Sequence, residues 1–276
     1  MKIQELKEKV FPLLKTNKME KAVELIKSVE AEALNTLQWI GETPEDRANT
    51  FARACQVFLH IEEGSPEKAI SIIDQAGDDA KSLGLLTISQ IVIKEVGLPE
   101  GGGIPSTINL CAEIAKAGTK YAISKNSKKH AAMLNHNVAA FISPDFDENI
   151  PDDLLDLGEK SAQTSLELRK EMGATVGISW AEWMVGVFKL ARDDGEAAIE
   201  HFSESSRVGK QIEDEKQKPT YVAWANLYHG KTLAKLYPEK KEKGIELMKN
   251  AHSLLKDTKD DWSIGHAETL LKKFSE

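Results

Sequence analysis

The side chains with the most obvious chemical capacity gather at His130-Ala-Ala-Met-Leu-Asn135-His136-Asn137, the densest polar patch on an otherwise apolar stretch. Asn135 and His136 offer hydrogen bonds to a ligand's backbone or carboxylate, and satisfied interior polar residues are the simpler alternative. His130 and His136 are six positions apart, which turns them to different faces of one helix and argues against a shared metal. Glu63 and Glu204 each follow a histidine (His60, His201) by three residues, but one such pair falls far short of a metal-ligand set. These two histidines, with His229, His252 and His266, read as structural or surface residues. The stretch from Asp145 to Asp156 carries oxygens at alternate places, like the opening of a calcium-binding loop. Ile150 stands where the sharp-turn glycine belongs, Asp152 at the apolar place and Asp156 at the closing glutamate. Pro151-Asp152-Asp153 is better explained as a helix start, with its carboxylates at the positive end of the dipole. Gly101-Gly102-Gly103 follows no strand and precedes no Gly-Lys-Ser/Thr, and Glu100 beside it would repel phosphate. Nucleophile elbow, zincin and kinase signatures are absent. The expectation is a chain with no catalytic set, no metal and no cofactor.

What positions such residues is bounded by composition. Of 276 residues 41% are hydrophobic, enough for a continuous core, and 29% are charged, which suits long amphipathic helices. The formal net charge is -8. Phosphate neutralisation dominates nucleic-acid affinity, yet the only short basic run, Lys240, Lys241 and Lys243, is flanked by Glu239 and interrupted by Glu242. Nucleic acid is therefore disfavoured as a partner. The opening MKIQELKEKVF alternates charged with apolar residues, unlike a secretory signal, and nothing further on approaches a membrane span. Cys55 and Cys111 lie far apart in helical patterns and read as buried thiols of a reducing compartment. A cytoplasmic protein without membrane contact is expected.

Strand signals are nearly absent, and apolar residues recur at three- and four-residue spacing. One run passes through Ala22, Leu25, Ile26, Val29 and Ala33, another through Phe51, Ala54, Cys55, Phe58 and Leu59, a third through Ile70, Ile73, Ala76 and Ala80. Turn residues fall between them: Gly41 to Pro44, Gly64-Ser65-Pro66 with Ser65 as N-cap, Asp193-Asp194-Gly195, and Pro238 to Lys243. Longer breaks occur at Leu98 to Pro105 and Ser143 to Pro151. The pattern is helix, tight turn, helix, repeated, giving about twelve paired helices and a cap.

Small residues, with a large apolar one between them, recur where such helices must cross closely: Gly64, Ala69, Ile73 and Ala76 after Val57; Gly186, Ala198, Phe202 and Ser205; Gly230, Gly244, Met248 and Ala251. Weaker copies are Ala22, Ile26 and Val29, and Ala115, Thr119 and Ala122. In these residues the chain resembles the tetratricopeptide-repeat superfamily, with copies roughly 40 to 47 residues apart rather than 34. The resemblance implies an all-α fold, a right-handed α-solenoid of stacked helix-turn-helix repeats in one domain over 1–276. Its approximate repeats would be 2–40, 44–84, 85–125, 126–172, 174–213 and 218–257, with a C-terminal cap over 260–275. It also implies a concave groove lined by the first helix of each pair. Transferring that frame puts Trp180 and Trp183 in the groove with Val187 one turn on, and Trp224 at the equivalent place with Leu227, Tyr228 and Lys231 following. Phe51, Ala54 and Phe58 take the matching places near the N-terminus, and Asn135 (followed by His136) with Ala139 in the middle. Two arrangements satisfy the pattern: rings lining the groove, or rings packed between neighbouring repeats.

The functional expectation is a scaffold or adaptor that binds a protein or peptide through an aromatic-lined groove. The alternative is a small-molecule sensor or enzyme on the same helical-repeat scaffold. The amphipathic segment from Trp262 to Phe274, with Ile264, Ala267, Leu270 and Leu271, is expected to cap the last repeat, or to dock a second copy in a homodimer.

Overall fold

A computed structural model describes residues 3–28, 43–97, 104–144 and 150–275. The glycine run at 101–103, the loop at 145–149 considered for calcium, and Val29, Ala33 and Gly41 lie outside the described residues. The described chain is all-α, with thirteen α-helices in contact mainly with their neighbours in sequence. It divides into two compact units, Met1–Phe141 and Ile142–Glu276, a division that falls inside the repeat expected over 126–172.

The first unit contains α1 (Ile3–Lys15), α2 (Met19–Ser28), α3 (Pro44–Glu62), α4 (Pro66–Asp74), α5 (Asp79–Gly97), α6 (Ile104–Ser124) and α7 (Lys128–Ile142, its last residue past the division). Helix α3 starts sharply because Thr43 and Asp46 form a capping box: each side chain takes the other's backbone N–H. Ser65 holds the N-cap place of α4 as expected, but its side chain makes no capping bond, and Pro66 with Gly64 at φ +70° defines the turn. The core is built from the apolar spacing: Ala22, Ile26, Phe51, Cys55, Val57, Ala69 and Ile73 are each no more than 1% exposed. Several polar side chains are sunk into it, Gln90 the largest of them. Gln90 of α5 donates from Nε2 to the carbonyls of Cys111 on α6 and Leu134 on α7, at 3.0 and 2.9 Å. A buried amide that ties three backbones fixes their register, which apolar contacts alone leave loose.

The second unit contains α8 (Asp152–Met172), α9 (Thr175–Ala191), α10 (Gly195–Gly209), α11 (Lys218–Leu236), a 3-10 turn at Pro238–Lys240, α12 (Lys241–Thr258) and α13 (Asp261–Ser275). Helix α8 begins at Asp152 with two acidic residues in its first turn, as the dipole favours, and ends at Gly173 in the left-handed region. Each helix pair closes on a small residue. A Cβ on Gly158 would lie 2.4 Å from the Phe188 ring, and one on Gly186 2.6 Å from that of Phe202. At the α11–α12 crossing the backbones themselves touch: a Cβ on Gly230 would sit 2.5 Å from the Gly244 carbonyl oxygen, and one on Gly244 2.6 Å from that of Gly230. Ser205, buried at the α9–α10 contact, exchanges hydrogen bonds with Ser179. Each hydroxyl donates to the other's backbone carbonyl, at 2.7 and 2.9 Å.

Candidate functional site, an aromatic ladder in the second unit

The aromatic side chains of helices α9, α11 and α13 touch in series. Trp180 stacks on Trp183 at 4.6 Å between ring centres. Trp183 meets Trp224 and Tyr228 edge-on at 5.5 and 5.1 Å. Trp224 stacks on Trp262 at 5.5 Å and on His266 at 5.2 Å. The ladder is pinned by polar atoms. Trp224 Nε1 donates to Ser263 Oγ at 3.1 Å, and Ser263 Oγ donates to Asp260 at 2.6 Å. The Tyr228 hydroxyl and His266 Nε2 share a hydrogen bond at 3.0 Å. Those bonds to Asp260 hold its carboxyl pKa below the ordinary value.

Burial sorts the rings. Trp183, Trp224 and Tyr228 are enclosed between the three helices, with exposures of 5%, 3% and 0%. Trp180 is half-buried, and Trp262 at the start of α13 is 59% exposed. Of the places transferred from the repeat frame, Trp180, Trp183, Trp224, Tyr228 and Lys231 are brought together here. Phe51 and Phe58 belong to the first unit and lie in its core, Phe58 against Phe11 at 5.3 Å. Asn135, also in the first unit, donates to Thr119 Oγ1 and to the Ala131 carbonyl; His136 beside it is half-buried. Trp262, Tyr221 and His266 were not singled out from the sequence as site residues. The signal was present in the ring at the start of the amphipathic C-terminal segment, inside an Asp260-x-x-Ser263 cap.

Two concavities border the ladder. The first, about 310 Å3, is walled by Trp180, Tyr221 and Trp262, with Val176 on its rim and Arg169 and Asp260 on opposite sides. Arg169 Nη1 donates to the Gly177 carbonyl at 2.8 Å, and burial lowers the guanidinium pKa from its ordinary value. Val176 and Trp262 are two of only four large apolar side chains exposed among the described residues. The second concavity, about 400 Å3, has Leu155, Val187 and Leu190 in its floor and Tyr228, Lys231 and Lys235 along α11. The Lys231 ammonium lies 4.7 Å over the Tyr228 ring. Both concavities fall within the size range of ligand sites.

Behind the ladder, α8, α9 and α10 are tied by a buried carboxylate. Glu182, 2% exposed, receives Lys170 Nζ at 2.7 Å and pairs with His201 Nδ1 at 2.6 Å. Burial acts to raise its pKa, but the bonds from His201 and Lys170 outweigh that and hold it below the ordinary value. This group braces helices and faces no cavity of the ladder. Among the described residues no three His, Cys, Asp or Glu side chains are grouped to hold a metal, and no helix is long and apolar enough to cross a membrane. Both cysteines are buried and neither is in a disulfide. The sequence matches no protein-family model and no curated protein.

Proposed function

We propose that this chain is a tetratricopeptide-like binding module, and that its second unit holds an extended peptide segment of a partner protein along the face carried by α9, α11 and α13. The observation that carries the reading is where exposed apolar surface collects. Val176 and Trp262 border one aromatic-walled concavity at the end of a ladder whose inner rings are rigidly packed. Exposed aromatic residues beside a preformed pocket cost little entropy to engage and supply the anchors that dominate peptide affinity. The sequential hairpins and glycine crossings support the repeat architecture.

The test separates binding from folding. Random peptides displayed on phage are selected against the purified chain, and the enriched peptides are titrated by fluorescence against wild type, Trp262→Ala and Trp180→Ala. Trp262→Ala should keep its melting temperature within the ordinary range of surface substitutions and lose about tenfold or more in affinity. A selection that enriches no peptide, or enriched peptides indifferent to both substitutions, would refute the reading.

A further inference from the structure

The first concavity holds a positive charge with which no described carboxylate pairs. We propose that it takes the carboxyl end of the bound segment, with the terminal α-carboxylate on the Arg169 guanidinium and an apolar last side chain against the rings; this inference rests on the peptide-binding reading above.

Arg169, in the last turn of α8, is half-buried. Its Nη1 donates to the Gly177 carbonyl, a neutral partner, and among the described residues no carboxylate pairs with the group. The Arg169 stem crosses Gly177, where an added Cβ would come within 3.1 Å of its Cδ, so the guanidinium is held at this edge of the concavity. A charge taken partly out of water without a counter-charge is costly, and the negative end of the α8 dipole offsets only part of it. The guanidinium fork is shaped for a carboxylate, which it holds through two parallel hydrogen bonds. Thr220 and Tyr221, from the first turn of α11, add hydroxyl groups to the lining. The same space, about 310 Å3, is walled by Trp180, Tyr221 and Trp262, so the carboxylate and the apolar group it admits must be close neighbours. In an extended segment consecutive side chains point to opposite faces, and an internal acidic residue turns its carboxylate away from an apolar neighbour. At a chain end the carboxylate and the last side chain branch from one Cα. Capture of a terminal carboxylate is therefore the better fit. Asp260 limits any further charge. It lines the same concavity, and the bonds it accepts from Ser263 at the start of α13 keep it ionised. A second negative group is repelled there, which disfavours an acidic last residue.

Three labelled octapeptides of Gly and Ser test this on the full chain: one ending in Leu-Phe as the free acid, one in Leu-Phe amide, one in Leu-Glu as the free acid. Fluorescence anisotropy should show the Leu-Phe acid binding about tenfold tighter than its amide at low salt, with the difference shrinking as salt is raised. The Leu-Glu acid should bind more weakly than the Leu-Phe acid. Arg169→Gln should bring the Leu-Phe acid down to the amide's affinity, with circular dichroism and melting temperature confirming the fold. Arg169→Lys, which keeps a cation but loses the fork, should fall between and carries the test should Arg169→Gln unfold the chain. Equal affinities of acid and amide, or an acid preference undiminished in the Arg169 variants, would overturn the inference while leaving the peptide reading standing. N-acetylphenylalanine binding as tightly as the Leu-Phe acid would also overturn it, because the occupant would then be a small molecule. Failure of all three peptides overturns it as well. A segment displayed on phage through its carboxyl end offers the rings an internal residue and no free carboxylate, so the selection above decides the peptide reading separately.

Discussion

Two alanine substitutions, identical as chemical changes, should have opposite signs in this protein. Gly230 and Gly265 are both helical, on α11 and α13. Alanine is the better helix former by about 1 kcal/mol at either site. At Gly265 an added Cβ meets nothing within 4 Å, and the position is exposed, so Gly265→Ala should gain about 0.5–1 kcal/mol. At Gly230 the Cβ would lie 2.5 Å from the Gly244 carbonyl oxygen and 3.1 Å from the Met248 amide nitrogen. No rotamer change relieves a collision with backbone. Helices α11 and α12 must move apart, and overpacking of that kind costs about 1–3 kcal/mol or more. With the helix-propensity gain subtracted from the upper end, Gly230→Ala should lose about 2 kcal/mol. The two variants should therefore differ by about 3 kcal/mol. Urea unfolding followed by tryptophan fluorescence is the natural assay, because Trp180, Trp183, Trp224 and Trp262 all lie in this unit, four of the chain's five tryptophans. Shifts of the same sign, or a Gly230→Ala variant as stable as wild type, would show that α11 and α12 do not cross at these glycines.

Two further outcomes test the polar pins. Ser263→Ala deprives the buried Trp224 N–H of its acceptor and should cost about 1–3 kcal/mol in urea unfolding. Adding Trp224→Phe, which removes the donor as well, should then cost less than the sum of the two single changes; strict additivity would mean that the Trp224–Ser263 bond does not exist in solution. Glu182, whose folded pKa is depressed, contributes stability that is present above the unfolded carboxylate pKa and is lost as acid protonates it below that value. Glu182→Gln should therefore lower the melting temperature at neutral pH and lessen its fall on acidification, and parallel pH profiles for the two proteins would refute the brace.

The helical hairpins were legible because small residues and turn residues obey steric rules that need only local sequence. Gly230 and Gly244, read as crossing points from spacing, are the two residues whose backbones touch. Ala69, Ile73, Ala198, Phe202, Met248 and Ala251, placed by the same spacing, are all fully buried. Gly118 escaped notice; its neighbours Leu86 and Leu134 come from α5 and α7, so nothing near it in sequence marks it as a contact. The site was less legible for a related reason. Spacing told which rings share a helix face, but the degree of burial depends on what a later helix lays over that face. Only the placement of α13 separates Trp224, covered by Ser263 and His266, from Trp262, which stays open.

That separation along one ladder has a consequence for how such a surface can be tuned. Rings that hold helices together and rings that meet a partner are normally in competition, because aromatic surface left open for binding is surface withheld from the core. Here the conflict is resolved by position. Trp183, Trp224 and Tyr228 are committed to packing between α9, α11 and α13, while Trp180 and Trp262 end the series and keep one edge accessible. On the binding role proposed above, the inner rings would hold the outer ones in place, and a partner would meet a surface that does not need to be ordered on binding. Substitutions at the ends should change affinity at nearly constant stability, and substitutions in the middle should change stability first. Under the proposed binding role, specificity would change through the terminal rings while the three helices that present them stay packed.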